Sequence, residues 1–306
     1  SITSVSIATI DTTECFDEMT LMALYFQNLR EFLEYEPKIK TGTKKAEKFE
    51  SLEFKNVSFK YPSAQKYSLE NVSFKLTKGE RLAIVGVNGA GKSTLVKLIL
   101  RFYDASSGQI LYNGVDIKEY ELSSLRNAFA TVFQDYKNFA ISVFENVMCR
   151  ECDENDKKIA EKALEQSGAW SKVSTLKYGG DTSLTREFDE NGAGLSGGEN
   201  QKVSTARLFA KDFEIAVLDE PSSALDPIAE YKMYENLIDV TKGKTVIFIS
   251  HRLSSAVLSD NIIVLSNGKI IEQGSHNELM KNGGEYEKMF TLQASNYEKE
   301  SVSDEN

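Results

Sequence analysis

Residues 81–94 read Arg-Leu-Ala-Ile-Val-Gly-Val-Asn-Gly-Ala-Gly-Lys-Ser-Thr, an apolar run that leads into a glycine-rich loop. Residues 86–94 fit the phosphate-loop pattern GxxxxGK(S/T). Glycines let the backbone curl so that successive amide groups point at one anion. The helix that follows presents an N-terminus that attracts phosphate. The stretch therefore predicts a strand, a phosphate-binding loop and a helix, in the order that nucleotide binding requires.

The side chains of this loop have distinct predicted tasks. We expect Lys92 to reach the β- and γ-phosphates of a nucleotide and Ser93 to place its hydroxyl on Mg²⁺. The predicted nucleotide-binding residues of the loop are Gly86, Val87, Asn88, Gly89, Ala90, Gly91, Lys92, Ser93 and Thr94.

A second apolar run, residues 215–218, ends in two carboxylates. Ligands of open α/β sheets bind at the carboxyl ends of the strands, so these acids are predicted to face the phosphate loop. Asp219 is the predicted Mg²⁺ partner, directly or through water. Glu220 is predicted to orient and deprotonate the attacking water. The alternative is a solvated strand end whose acids cap the next helix.

His251 follows another apolar run, residues 246–249. Its position after a strand of the same predicted sheet places it near the γ-phosphate. We expect it to hold Glu220 and the water in line, whereas a lone histidine elsewhere would favour a structural role.

The chain has 306 residues and a formal net charge of −10. This length allows two domains or one large α/β unit. The acidic balance counts against nucleic acid as a partner, because non-specific nucleic-acid binding needs a cationic surface. It does not count against ATP, since a local pocket can be positive in an acidic protein.

The three cysteines, Cys15, Cys149 and Cys152, are odd in number and lie in a long chain, which makes a disulfide framework a poor interpretation. Cys149 and Cys152 form a lone CxxC pair. Neither histidine, His251 or His276, completes a zinc spacing with it, so we expect reduced thiols. No run of about 18 apolar residues predicts a membrane span.

Short apolar strands alternate with helices along most of the chain, which favours a mostly parallel sheet covered on both faces. Asn113-Gly114 and Asn267-Gly268 are predicted turns. The predicted strands are residues 52–59, 72–76, 81–85, 109–112, 130–133, 215–218, 245–249 and 262–265. The predicted helices are residues 19–34, 92–102, 155–166, 199–211, 226–240, 275–281 and 285–292. Residues 1–18 carry no clear pattern, and the polar tail after residue 296 is expected to fray.

Residues 195–199 read Leu-Ser-Gly-Gly-Glu shortly before the acidic strand. Ser-Gly-Gly at the start of a helix offers free amide groups and the positive end of the helix dipole. One ATP needs one phosphate loop, so a second anion site in the same chain indicates contact with the ATP of a partner. The predicted residues of this site are Ser196, Gly197, Gly198 and Glu199.

The order of these motifs over residues 52–292 resembles the ATP-binding cassette (ABC) family, with residues 195–199 as its signature motif. The resemblance implies that Tyr61 stacks on adenine. It also implies that Gln134 senses Mg²⁺ and contacts a transmembrane partner. Asp226 lies in a segment similar to the dimer-contact loop, and His251 matches the switch histidine.

Within the family, residues 139–147, 190–192 and 268–276 are similar to the exporter type. The resemblance implies a P-loop NTPase core with a mostly parallel sheet, an antiparallel β subdomain and a helical subdomain over about residues 135–212. The cassette is predicted at residues 49–295, and residues 296–306 form a tail. The resemblance implies that residues 1–48 hold a helix and a linker from a preceding transmembrane domain. The alternative is an ordinary amphipathic helix that covers the cassette.

The implied function is ATP hydrolysis that powers export at the cytoplasmic face of a membrane. Two cassettes would close head to tail over two ATP molecules with Mg²⁺, coupled to the transmembrane domain of the same transporter. A soluble cassette acting on DNA or ribosomes usually needs an insertion, a tandem cassette or a basic surface, and none is visible. A non-hydrolysing module is disfavoured because Lys92, Gln134, Asp219, Glu220 and His251 are all present. The cargo and the choice between homodimer and heterodimer stay open.

Two features depart from the family pattern. The signature ends in Glu199, where glutamine is commoner, and few basic residues surround it, with Lys202 and Arg207 remaining. Because Glu199 lies at the edge of the anion site, we expect it to tune that site rather than to abolish it.

Overall fold

The computed structural model describes residues 2–133, 135–219, 237, 241, 243–250 and 253–303. The chain divides into two units, Ser1–Lys40 and Thr41–Asn306. The domain limits predicted from the sequence stay predictions.

The first unit consists mainly of one helix, α1 (Ile2–Leu33). It begins far earlier than the predicted residue 19. The chain before Glu36 contains no glycine or proline, and its serines and threonines lower helix propensity only modestly, so nothing stops the helix. Large apolar side chains such as Phe26 and Phe32 are exposed along it. None of the helices among the described residues is both long and apolar enough to cross a membrane.

The second unit is built on a six-stranded sheet. Its strands are β3 (Arg81–Val85), β6 (Phe129–Val132), β7 (Ile215–Asp219), β8 (Thr245–Ser250), β9 (Asn261–Ser266) and β10 (Lys269–Gly274). The order is β10-β9-β3-β8-β7-β6, and every neighbouring pair is parallel except β10 with β9. All residues of β7 and β8 are buried, as expected for strands covered on both faces.

A four-stranded antiparallel sheet packs over part of this core. Its strands are β1 (Ser51–Phe59), β2 (Leu69–Thr77), β4 (Ser107–Tyr112) and β5 (Val115–Asp116), in the order β2-β1-β4-β5. Apolar side chains from both sheets and from the helix after β3 form one hydrophobic cluster. This contact brings the antiparallel sheet against the element that carries the phosphate loop.

Nine helices of the second unit fall within the described residues. They are α2 (Lys92–Ile99), α3 (Leu122–Asn127), α4 (Val143–Met148), α5 (Glu154–Gln166), α6 (Trp170–Val173), α7 (Gly197–Phe209), α8 (Leu253–Ala256), α9 (His276–Asn282) and α10 (Glu285–Ser303). Helices α4 to α7 share a hydrophobic cluster of their own. The predicted class, a mostly parallel sheet with an antiparallel β sheet and a helical part, is confirmed.

Two helix ends differ from the prediction. α2 ends at Ile99 instead of residue 102, because Arg101 adopts a left-handed backbone with φ of +50°. α10 continues to Ser303, through the tail that was expected to fray. That tail is polar, but it contains no glycine or proline to end the helix. The predicted helix at residues 226–240 lies outside the described residues, apart from Leu237, which is helical.

The basic segment at residues 41–48, expected to be a linker, is bound to the second unit. The amide of Gly42 donates to the Tyr120 carbonyl oxygen at 2.9 Å, and the amide of Ala46 donates to Ser124 Oγ at 2.8 Å. The Tyr112 hydroxyl donates to the Glu47 carbonyl oxygen at 2.9 Å. These bonds hold the segment against α3 and the end of β4.

Candidate functional site

The loop between β3 and α2 is shaped by two glycines. Gly91 has a φ of +108°, and a Cβ there would lie 2.8 Å from the Ser68 carbonyl oxygen. A Cβ on Gly86 would overlap the carbonyl oxygen of Leu265 in β9. Only glycine fits these close approaches. The loop backbone is therefore fixed between β9 and the residues before β2.

The amide groups of this loop are available to an anion. Those of Asn88, Gly89 and Gly91 donate to no acceptor among the residues that the structure describes. The positive end of α2 follows at once. A row of amides that leads into a helix N-terminus is the geometry that binds phosphate.

The ammonium group of Lys92 donates hydrogen bonds to backbone carbonyl oxygens of the phosphate loop. The side chain is buried, and its Nζ donates to the Gly86 carbonyl oxygen at 2.8 Å and to that of Val87 at 3.3 Å. Ser93 is exposed, whereas Thr94 is buried. The loop thus carries a positive charge and an accessible hydroxyl side by side.

A cleft of about 1200 Å³ lies at this loop. It is lined by residues 64–68, Glu70, residues 88–89, residues 91–94 and the turn between β9 and β10. The amide of Gly268 in that turn donates to the Ala90 carbonyl oxygen at 3.0 Å, and its carbonyl oxygen accepts from the Glu70 amide at 2.8 Å. The turn therefore joins the phosphate loop to β2, a role that the sequence alone did not indicate.

Tyr61 lies beside the cleft and is absent from its lining. Its hydroxyl is 3.3 Å from Thr94 Oγ1, and its ring meets the edge of Phe59 with centroids 4.9 Å apart. The lining instead includes Tyr67, whose side chain is half exposed. The stacking of Tyr61 on adenine stays a prediction. Tyr67 was missed because an isolated aromatic residue in a loop carries no pattern.

Asp219 ends β7 at the edge of the sheet where the phosphate loop begins. β3 and β8 pair Val85 with Ser250, and β8 and β7 pair Ile249 with Asp219. The buried carboxylate is therefore two strands from the start of the loop. Four other predicted site residues lie outside the described residues: Gln134, Glu220, Asp226 and His251.

The signature residues form the N-terminus of α7. Ser196 caps this helix, and its hydroxyl accepts from the Glu199 amide at 3.3 Å. Gly197 and Gly198 have open space where a Cβ would be. None of the signature residues lines the cleft at the phosphate loop. The phosphate loop and the N-terminus of α7 therefore belong to two separate surfaces.

Hydrogen bonds connect the segment after residue 134 to α7. The Tyr136 hydroxyl donates to the Gly197 carbonyl oxygen at 2.9 Å, and Asn138 Nδ2 donates to Asn200 Oδ1 at 2.8 Å. Arg207 donates to Asn138 Oδ1 at 2.9 Å, and burial lowers the pKa of its guanidinium. The sequence did not single out these contacts, since they join residues about 60 positions apart.

Comparison with known proteins identifies the family and the fold. The family model described as ABC transporter matches residues 69–223, which include the phosphate loop, the signature residues and the acidic strand end. The chain belongs to the ABC transporter family. It is an ATP-binding ATPase domain of that family, as the resemblance predicted.

Relatives of this cassette include transport proteins of several kinds. It is 41% identical over 269 residues to the subtilin transport ATP-binding protein of Bacillus subtilis, covering 87% of this chain and 44% of that protein. It is 38% identical over 268 residues to the ATP-dependent lipid A-core flippase of Vibrio vulnificus, covering 87% of this chain and 45% of the flippase. The chain spans less than half the length of these relatives.

A solved structure of a bacterial Atm1-family ABC exporter with ATP bound has the same fold. The TM-score is 0.80 at 32% sequence identity, over 90% of this chain and 48% of the exporter chain. The predicted family and fold class are confirmed. The individual site residues and their roles stay predictions.

Proposed function

We propose that this cassette hydrolyses ATP at an interface between two cassettes packed head to tail. The supporting observation is the separation of the phosphate loop from the N-terminus of α7. The phosphate loop lines a cleft, and the open N-terminus of α7 does not take part in that cleft. A second copy, or a related cassette, would bring its signature helix to the ATP held by the first.

In this proposal the loop amides and Lys92 bind the phosphates. Ser93 and Asp219, with Gln134, would hold Mg²⁺, because a hydroxyl and a carboxylate are the hard oxygen donors that this ion prefers. When bound, Mg²⁺ would neutralise charge on the phosphates. The exposed Ser93 hydroxyl and the Asp219 carboxylate at the same sheet edge fit this role.

The remaining roles follow the family pattern. Glu220 would orient the attacking water and accept its proton, and His251 would hold the water and the γ-phosphate in line. Asp226 would contact the partner cassette. Hydrolysis removes the phosphate that links the two cassettes, so the pair would then open.

We propose that the opening and closing drive export through a transmembrane domain, with the cassette at the cytoplasmic face of the membrane. The names of two relatives specify different cargoes, subtilin and lipid A-core. Similarity of the cassettes therefore does not select a cargo for this chain. Nucleic acid is not a proposed partner, consistent with the net charge of −10.

Replacement of the loop lysine tests the nucleotide site. Lys92→Ala removes the ammonium that we expect to contact the phosphates, so ATP affinity should fall at least about tenfold and phosphate release should fall to background. Lys158→Ala, at an exposed position of α5, is the matched control and should change neither. Retained ATP affinity in a folded Lys92→Ala protein would refute the assignment of the loop.

A further inference from the structure

Glu199 places a negative charge at the open end of the signature helix. Its Oε2 accepts from the Ser196 amide at 2.8 Å, while the Ser196 hydroxyl accepts from the Glu199 amide. This reciprocal cap uses two of the amides at the N-terminus of α7. A glutamine could form the same bonds without a charge, so the carboxylate adds charge and no new contact.

The negative charge of Glu199 would oppose the proposed contact between the N-terminus of α7 and the ATP of a partner cassette. The phosphates of a partner's ATP would approach Ser196 and the open glycines beside it, and like charges at short range repel. The Glu199 carboxylate is ionised near neutral pH. Hydrogen bonds from the Ser196 amide and hydroxyl, with the nearby Lys172 and Lys202, keep its pKa below the usual value.

Lys172 on α6 faces the other oxygen of this carboxylate. Its Nζ lies 3.8 Å from Glu199 Oε1, so the cap and the lysine use different oxygens. The neighbours of Lys172 are anchored in the helical part. Val173 is buried, and the Trp170 ring stacks on Phe144 with centroids 6.2 Å apart. The lysine is therefore presented to Glu199 by a packed element.

We propose that Lys172 is a positioning residue of the shared nucleotide site, and that its ammonium neutralises Glu199 so that the partner's phosphates can approach the signature helix. The proposal rests on the proposed function. Glu199 then opposes closure of the pair when its charge is uncompensated, and Lys172 removes that opposition. This arrangement explains how the signature helix can carry a carboxylate in place of glutamine.

A double-mutant cycle tests the proposal in the 306-residue chain carrying Glu220→Gln, which is expected to bind ATP without turnover. The dimer dissociation constant would be measured with Mg·ATP by sedimentation for Lys172→Met, Glu199→Gln and the pair. We expect Lys172→Met to weaken the dimer about three- to fivefold, the range of one partly exposed ion pair. Because Lys172 already compensates the carboxylate, Glu199→Gln alone should change the dimer little, and Lys172→Met should then cost much less than it does beside Glu199.

Three controls separate positioning from a structural role. Lys172→Arg should keep the dimer at the affinity of the parent chain, and Lys158→Met, at an exposed position of α5, should leave it unchanged. Lys172→Met should keep the ATP affinity of the isolated cassette.

The coupling between Lys172 and Glu199 should shrink between about 0.1 M and 1 M salt, because the screening length falls from about 10 Å to about 3 Å.

Two outcomes overturn the proposal in distinguishable ways. If Lys172→Met weakens the dimer equally with Glu199 present and in the Glu199→Gln background, the lysine does not act through Glu199. That result would leave the proposed function intact. Absence of any ATP-driven dimer in the parent Glu220→Gln chain would overturn the shared site and this proposal together.

Discussion

At the scale of single residues, Gly268 controls the fit of the β9–β10 turn against the phosphate loop. Its φ is +76°, and a Cβ there would lie 2.7 Å from the Ser68 carbonyl oxygen. The same residue exchanges backbone hydrogen bonds with Ala90 and Glu70. A Cβ added at this point would therefore force the turn and the Ser68 backbone apart.

We expect Gly268→Ala to destabilise the cassette by about 1–3 kcal/mol and to lower ATP affinity, because strain and a backbone clash act together. Gly114→Ala is the matched control. Gly114 also follows an asparagine in a tight turn, with φ of +80°, but nothing lies within 4 Å of its added Cβ. Urea unfolding and ATP titration of both variants measure the difference. Equal losses would show that the approach to Ser68 does not matter.

Arg81, the first residue of the strand that leads to the loop, is fixed by Asp260. Its Nη2 and Nε lie 2.6 and 3.1 Å from the two carboxylate oxygens, and its amide donates to Oδ2 at 2.9 Å. The side-chain hydrogen bond from Arg81 lowers the pKa of the Asp260 carboxyl. The pair is more than a third exposed, so its contribution to stability is modest.

Asp260→Asn should therefore destabilise the cassette by about 0.5 kcal/mol at pH 7. The folded-state pKa is below the unfolded value of about 3.9, so this stability is present above that value and is lost as the pH falls towards the folded-state pKa. The difference between Asp260→Asn and the parent should shrink below about pH 4 in urea unfolding. A difference that stays constant down to about pH 3 would exclude the ionic origin.

At the scale of elements, α7 is held by the segment that follows residue 134. Asn138 bonds to Asn200 in the first turns of α7 and to Arg207 near its end. The buried Asn146 in α4 accepts a further bond from Arg207 through its carbonyl oxygen at 2.8 Å. Hydrogen bonds therefore attach this segment to both ends of α7.

We expect Asn138→Ala to speed hydrogen exchange of the first turns of α7 and to destabilise the cassette by about 1–2 kcal/mol, because Asn200 and Arg207 lose a partner. Asn155→Ala, at an exposed position near the start of α5, is the control and should leave exchange in α7 unchanged. Hydrogen-exchange mass spectrometry would measure both. Unchanged protection of residues 197–203 would contradict the linkage.

The sequence predicted elements well where a local pattern decides them. Both Asn-Gly turns have positive φ at each residue, as this dipeptide favours. α7 begins two residues before the predicted Glu199, although the Ser196-to-Glu199 spacing was a visible capping signal. The start of α1 was missed because its first half has no apolar period. Contacts of Lys172 and Asn138 were not predictable, since they depend on packing between distant segments.

At the scale of the whole molecule, the cassette is acidic, and two copies would bring together a formal charge of 2 × −10 = −20. Long-range repulsion therefore opposes a pair in the absence of ligand. The proposed interface overcomes it only when Mg·ATP joins the phosphate loop of one cassette to the signature helix of the other. Nucleotide should thus control assembly, which is the link between hydrolysis and opening.

The most direct test is the solution mass of the Glu220→Gln chain with and without Mg·ATP. Analytical ultracentrifugation should give a monomer of 34.2 kDa without nucleotide and twice that mass with it. Ser196→Arg, which blocks the signature surface, should keep ATP binding and prevent the change. A chain that binds ATP yet stays monomeric at every concentration, or a Ser196→Arg variant that still dimerises, would contradict a nucleotide site shared between two cassettes.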